Sequence, residues 1–459
     1  MIDKFNNKFI IFFILLHPIL DIITSYSIRA HDSSISIGIF IKSLFMIYIV
    51  FLTLFRFESD KKFIKQTKLI MIGILIYMCI FLINDIVYKP THIIKDIIGM
   101  VKLFYFPIIL CGLCIINERD KIKISTHTLI YVLIIYAAII FIATITGTYF
   151  RSYEKYYIPG SVGWFYAANE IGAIIAILTP FTMIFFIKNK LKINSLIMMT
   201  LVLFAVTYMG TKVPFLAFII YLTTIMTIIL KERKLNKYKF KKRIVHITLM
   251  IFLFVICSYK SPIYMNIKSA YEKKIEKNFN NKKYYGENSK IDRKNNNIII
   301  LEGNRKIDIR KYNNNLKADS TISKLMSRRN LFAYIIKHRF EVGTLKEKMI
   351  GLGYYVDIEP EVLTSKTIEI DFLDILYRQG IIGFILYFLQ FILILKIIFN
   401  YIKEKNKSLW DLNIIGYILS IVVGLLISIC AGHVFTAPSV SIYIALVIIL
   451  FFNSIREKV

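Results

Sequence analysis

The chain has 459 residues, 56% of them hydrophobic, with a mean hydropathy of +0.60 and a formal net charge of +29. Ordinary soluble domains are about 45–50% apolar, so this composition excludes a soluble globular protein and points to one embedded in a membrane. Nucleic acid, the usual partner of so basic a soluble protein, is not expected, because the topology accounts for most of the excess charge.

Apolar runs long enough to cross a bilayer fall in chain order near residues 9–28, 35–55, 69–88, 97–116, 128–147, 167–187, 193–210, 213–230, 244–259, 380–399, 412–431 and 435–453, so twelve spans are expected. The first run lacks an Ala-x-Ala cleavage site and contains Pro18 and Asp21, and it reads as a retained span. With the N-terminus inside, 27 Lys and Arg fall in cytoplasmic loops and termini, against about six in the short outer loops, which is the asymmetry the positive-inside rule favours. The expectation is a multi-pass protein of the cytoplasmic membrane, both termini inside.

Residues 1–259 carry spans one to nine and residues 372–459 carry spans ten to twelve. Between them lies one large polar insert, residues 260–371, which this orientation places outside the cytoplasm. It holds 23 Lys/Arg against 14 Asp/Glu, a net +9, so an anionic partner such as a phosphate or a lipid head group fits it. Residues 260–325 are rich in Lys, Asn and Tyr and read as a variable segment with a short strand-like NIIILEG at 297–303. Residues 326–371 read as ordered and bearing the active site: a helical MSRRNLFAYIIKHRF, a GLG turn at 351–353, then an acidic segment that runs into span ten. Cys79, Cys111, Cys114, Cys257 and Cys430 all fall in the spans, so no disulfide framework is implied. There is no clear internal repeat, and the insert's position argues against a transporter built of two halves.

Ionisable groups inside spans are costly and mark functional sites by default. Asp21, Lys42, Asp85, Lys102, Asn169 with Glu170, Lys212 and His433 all lie in the outer half of their spans or at its boundary, as they would around a cleft open to the outside. The bland reading is that single members snorkel to the interface. At the start of span ten, Asp371, Asp374 and Arg378 stand at i, i+3 and i+7 and share one face of a helix. An Asp374–Arg378 pair could simply hold that helix. Glu369 precedes it, and a carboxylate there could act as general base on a hydroxyl. Arg328 and Arg329, with Phe332 and Tyr334 nearby, suit a phosphate because Arg forks match its oxygens and do not deprotonate. No DxD or His-rich cluster marks a metal site, and no cofactor is expected.

Four segments stand out in order: WFYAANEIGAIIAILTPF (164–181), with Asn169; YMGTKVPFLAFII (208–220), with Thr211 and Lys212; SRRNLFAYI (327–335), with Arg328 and Phe332, followed by GLGYY (351–355); and the stretch from Glu369 to Gly383. Together they give the chain a resemblance to the O-antigen ligase and polysaccharide polymerase (Wzy-like) superfamily of integral membrane GT-C type glycosyltransferases, in which Ser-Arg is usual where this chain has Thr211 and Lys212, and Arg328 with Phe332 resembles an Arg-x-x-x-Trp element. In the last segment, counting back from Gly380 and Gly383 puts Glu369 where the ligases carry a His, and Glu can serve as a base in its place.

The resemblance implies an all-α polytopic enzyme that transfers a glycan, outside the membrane and without a metal, from a polyprenyl diphosphate to an acceptor glycan or envelope polymer, as a polymerase or a ligase. Glu369, Asp371 and Asp374 are then the expected catalytic carboxylates; Lys212, Arg328, Arg329, Arg378 and Asn169 the expected substrate and diphosphate contacts. Membrane lipids and other envelope polysaccharide assembly proteins are the further expected partners. A transporter or flippase of lipid-linked oligosaccharides is the alternative from another class, and a noncatalytic scaffold a third. A flippase should carry charged groups on both sides of the midplane, where this chain concentrates them on one.

Overall fold

The computed structural model describes residues 2–31, 36–55, 61–88, 93–120, 124–153, 159–232, 237–283, 298–301, 305–308, 329–354, 368–405 and 411–456. In chain order the elements are α1 (Ile2–His31), α2 (Ile37–Phe55), α3 (Lys62–Tyr88), α4 (Ile93–Asp120), α5 (Thr126–Ile145), α6 (Ala168–Lys188), α7 (Ile193–Tyr208), α8 (Lys212–Glu232), α9 (Lys237–Ser258) and α10 (Pro262–Lys283). A hairpin of β1 (Ile298–Leu301) and β2 (Arg305–Asp308) follows, then α11 (Arg329–Glu341), α12 (Leu345–Ile350), α13 (Asp371–Lys405), α14 (Leu412–Cys430) and α15 (Pro438–Arg456). The antiparallel hairpin pairs Ile298 with Asp308, so the short strand expected near 297–303 is present. The five cysteines are free thiols.

The architecture is a helical membrane bundle, with fewer simple crossings than the twelve expected. Ten helices among the described residues are long and apolar enough to cross a membrane, or eleven if the bent pair α9–α10 counts as one span. The two expected spans that fall short have separate physical reasons. At 16 residues, α7 reaches about 24 Å at 1.5 Å per residue, less than the ~30 Å hydrocarbon core. It stops at Gly210, whose φ of +69° is open to glycine and costly for other residues. The second, α9, is broken from α10 by a 66° bend at Lys260 (φ +53°) and Ser261, just before Pro262, a residue suited to the first position of a new helix.

Enclosure divides the bundle. The apolar windows of α4, α6 and α15 are 72%, 89% and 83% buried, against 33–44% for α1, α2, α3, α8 and α13. The first three therefore form the centre, while the others turn one face to lipid, where their exposed Leu, Ile and Phe carry no penalty. Direction follows from the contacts. Lys188 at the end of α6 bonds Asn413 at the start of α14, 2.9 Å, and Ser420 donates to the Ile177 carbonyl, 2.6 Å, so α6 and α14 run antiparallel. The start of α6 thus lies at the same end of the bundle as the turn after α14.

One buried ionic network ties the first two spans to this centre. Lys42 Nζ donates to Asp21 Oδ1 at 2.6 Å and to Ser439 Oγ at 2.8 Å, while the Tyr136 hydroxyl donates to Asp21 Oδ2 at 2.5 Å. Both charged groups are almost fully enclosed, at 3% and 6% exposure. Both therefore serve an internal pairing that joins α1, α2, α5 and α15. Removing one partner strands the other charge in a medium without water, at a cost of roughly 3–5 kcal/mol. Asp21→Leu or Lys42→Met alone is therefore expected to lower the melting temperature of the detergent-solubilised protein sharply, and the double variant to regain part of the loss. Equal melting of both single variants and the native chain would remove this network from the account.

Candidate active site

The site is organised around a break in α13. Gly380 has φ +64° and ψ −174°, a conformation outside the helix, and the carbonyls of the preceding turn lose their helical partners. They are satisfied by the segment that follows α12. Leu352 N donates to the Tyr377 carbonyl at 2.9 Å and Gly353 N to the Arg378 carbonyl at 3.0 Å. The Tyr77 hydroxyl, reaching in from α3, lies 2.6 Å from the Gln379 carbonyl and 2.7 Å from that of Ile350.

This docking explains the glycines of both motifs. A Cβ on Gly380 would sit 2.5 Å from the Met349 carbonyl oxygen and 2.6 Å from Gly351 N, and one on Gly351 would press into the Arg378 carbonyl. Gly383 faces the Tyr77 ring, where a Cβ would come within 2.7 Å of the hydroxyl oxygen. The docked segment is held from its other end as well. Thr344 and Glu347 form a capping box at the start of α12, and Arg339 Nη2 donates to Glu347 Oε1 at 2.5 Å. Partial burial pushes the Glu347 carboxyl up, but the bonds from Arg339 and Thr344 outweigh it and hold the group below the usual carboxylate range. A lowered carboxyl pKa means the lock is complete at neutral pH and weakens as pH falls through that pKa.

Two of the expected carboxylates are engaged inside the protein. Asp374 accepts from Arg378 Nε at 2.6 Å, the helix-holding pair that was one of the two readings of this spacing. Arg378 also donates through Nη1 to the carbonyls of Gly353 and Tyr354, 3.3 and 3.2 Å, with its guanidinium 5.0 Å over the Tyr354 ring. Tyr354 N donates in turn to Asp96 in the first turn of α4. Arg378, 7% exposed, therefore fastens the Gly-Leu-Gly segment to α13.

Asp371, 1% exposed, clamps the turn between α14 and α15. Its Oδ1 accepts from His433 N and Thr436 Oγ1, both 2.8 Å, and its Oδ2 from Val434 N at 2.8 Å and Phe435 N at 2.9 Å. Four donors satisfy an ionised carboxylate about as fully as its lone pairs allow. The turn that supplies them contains Gly432 at φ +67° and His433 at φ +62°, a strained placement for a residue with a side chain.

Glu369 stands beside this clamp. Its neighbours Ile368 and Ile370 are buried with Ala333 and Tyr377 in a small core under α11, and a Cβ on Gly432 would meet the Glu369 carbonyl carbon at 2.8 Å. Two buried isoleucines thus flank a half-buried carboxylate. At the same end of the bundle, Asn169 is the second residue of α6 and half-buried, and Lys212 is the first residue of α8 and exposed. Between these two helices Thr211 is 4% exposed, and its hydroxyl has no partner among the described residues. Arg328 lies outside the described residues, and Arg329 opens α11 with a side chain that also lies outside them.

The fold therefore brings Glu369, Asp371, Asp374 and Arg378 together through the start of α13, and sets Asn169 and Lys212 at the same end of the bundle. Sequence spacing did not reveal Tyr77, Asp96 or Gln379. Tyr77 and Asp96 support the site from helices more than 250 residues away in sequence and Gln379 through its backbone carbonyl, and no local pattern singled them out.

Two variants test the docking. Gly380→Ala must place a side chain at positive φ against backbone atoms, and is expected to cost about 1–3 kcal/mol and to speed amide exchange at residues 350–354 specifically. Asp371→Asn swaps an acceptor oxygen for an amide that faces a backbone N–H. A loss of about 1–3 kcal/mol is expected, with faster exchange at 433–436 and unchanged exchange at 350–354. Uniform destabilisation of both regions by either variant would contradict two separate locks.

Compared with known proteins, the chain matches the family described as O-antigen ligase like membrane protein over residues 3–458. No curated protein and no solved structure matches it. Because the match covers nearly the whole chain, together with the multi-span helical bundle, the protein belongs to the O-antigen ligase like membrane protein family.

Proposed function

We infer from membership of this family that the protein carries out membrane glycosyl transfer in envelope polysaccharide assembly. We propose that the chain transfers a glycan from a polyprenyl diphosphate to the hydroxyl of an acceptor glycan or envelope polymer, outside the cytoplasmic membrane, as a polymerase or a ligase. The observation that carries this reading is Glu369, a half-buried carboxylate on a segment secured by the Asp371 clamp and the docked Gly-Leu-Gly turn.

In the proposed reaction Glu369 takes the proton of the acceptor hydroxyl as its oxygen attacks the anomeric carbon. The bond from that carbon to the diphosphate oxygen breaks, and the diphosphate leaves with the electron pair. Lys212 and Arg328, with Arg329 in support, stabilise the charge that develops on the leaving group. Asn169 orients the donor sugar. Asp371 and the Asp374–Arg378 pair act as positioning residues, since their polar atoms are engaged within the protein and their effect reaches the substrate through Glu369. The basic charge of the short loops supports an orientation with both termini in the cytoplasm and residues 260–371 outside.

Glu369→Gln keeps shape and hydrogen bonding while removing the base. Turnover of a lipid-linked oligosaccharide should fall by about 10²–10⁴-fold, with KM little changed. Arg328→Ala should lower turnover by about 10²–10³-fold without altering membrane insertion. Native turnover by Glu369→Gln would remove Glu369 as base, and native turnover by both variants together would favour a noncatalytic scaffold.

A further inference from the structure

Asp21 and Lys42 neutralise each other inside the bundle, but two other ionisable groups, Lys102 and Glu170, make no hydrogen bond or ion pair among the described residues. Lys102 lies on α4, one of the three central helices, and the four residues that follow it, Leu103 to Phe106, are 0–1% exposed. Its own side chain is half-buried. An unpaired cation in such a helix is costly and marks a functional position. Its Nζ has no partner yet is not sealed off as the ring nitrogens of His17 are, so the ammonium opens on accessible space.

That space lies beside the docked segment. Asp96, six residues before Lys102, accepts from Tyr354 N. Gly99, one turn before Lys102 and on the same side of the helix, lies under the Tyr354 ring, where a Cβ would meet ring carbons at 2.4–2.5 Å. Lys102 therefore stands about 9 Å further into the bundle than the Asp96 anchor, at 1.5 Å per residue. Glu170, in the first turn of α6 beside Asn169, is half-buried and is the opposite charge that acts on Lys102; Lys42, already neutralised by Asp21, is the like charge. Lys102 and Glu170 attract each other without closing into an ion pair. An ammonium and a carboxylate held apart on separate helices offer one wall for an anion and one for hydrogen-bond donors.

We propose that Lys102 and Glu170 form a two-sided subsite for the glycosyl phosphate end of the donor: Lys102 Nζ contacts the phosphate attached to the sugar, and the Glu170 carboxylate accepts from a hydroxyl of that sugar. This rests on the glycosyl-transfer reading given above. Lys102 then joins Lys212 and Arg328 in stabilising charge on the leaving diphosphate. Glu170 selects the donor, because a carboxylate placed to accept from a hydroxyl disfavours a sugar that lacks it.

The full chain in detergent and its Lys102→Met, Lys102→Arg and Glu170→Gln variants are titrated with inorganic pyrophosphate, read by melting temperature, and assayed on a lipid-linked oligosaccharide. Because Lys102 has no partner to lose, Lys102→Met should melt no lower than the native chain, unlike Lys42→Met. It should need about 10–100-fold more pyrophosphate for the same shift, the loss of one charge-assisted bond, and Lys102→Arg should recover most of that loss. Glu170→Gln should bind pyrophosphate at least as tightly as the native chain while raising KM for the oligosaccharide about tenfold. Lys190→Gln, which removes an exposed charge just past the far end of α6, should behave as the native chain does. No pyrophosphate-dependent shift in the native chain, equal affinity in the native chain and Lys102→Met, or the same weakening in Lys102→Met and Glu170→Gln would overturn the proposal. Lys102→Gln gives the same reading if Lys102→Met does not fold. Native turnover by Glu369→Gln, with pyrophosphate binding still dependent on Lys102, would remove the base and support the anion subsite.

Discussion

A chain inside hydrocarbon must satisfy each of its own backbone polar groups, because no water is present to do so. That constraint makes the break at Gly380 the organising event of this protein. Opening α13 releases carbonyls within a candidate membrane span, and the structure answers with the amides of Leu352 and Gly353 and the hydroxyl of Tyr77. The same bonds that repair the helix deliver a polar segment to the bundle and fix its register. A kink elsewhere would serve as a hinge; here it is a socket, and its occupant comes from the insert.

Charge follows a similar economy. Asp371, Asp374, Arg378, Asp21 and Lys42 are all buried, and each has specific partners in neighbouring elements. Buried ions of this kind are poor sources of net stability against apolar packing, but each specifies a unique mate. In a bundle whose helices are mostly interchangeable sleeves of Ile, Leu and Phe, such mates decide which helix lies beside which. Glu369, half-buried, and Lys212, exposed, are then distinguished by position from the fully buried groups of the same chemistry.

Much of this was legible from the chain alone, and the limits have physical causes. Long apolar runs, the helix over Arg329–Glu341 and the pairing of Asp374 with Arg378 follow from periodicity and spacing. The count of crossings failed at α7 and α9 because hydropathy registers composition and not the positions of Gly210 or Pro262, where the helices end. Spacing put Asp371 among the catalytic candidates beside Glu369, yet its partners at 433–436 lie more than 60 residues downstream. Glu369 was reached by counting back from Gly380 and Gly383, and what separates it from its buried neighbours Ile368 and Ile370 is the small core under α11.

The Asp371 clamp has a bearing on how the chain can be re-engineered. Its four donors belong to the turn between the last two helices, so the start of α13 and the carboxyl-terminal hairpin of α14 and α15 form one unit despite their separation in sequence. Grafting residues 260–371 from another family member onto this scaffold would set a foreign aspartate or its substitute against the native turn at 433–436. Chimeras that exchange both stretches together should mature as membrane proteins, and shuffling schemes cut between them divide a single inherited unit.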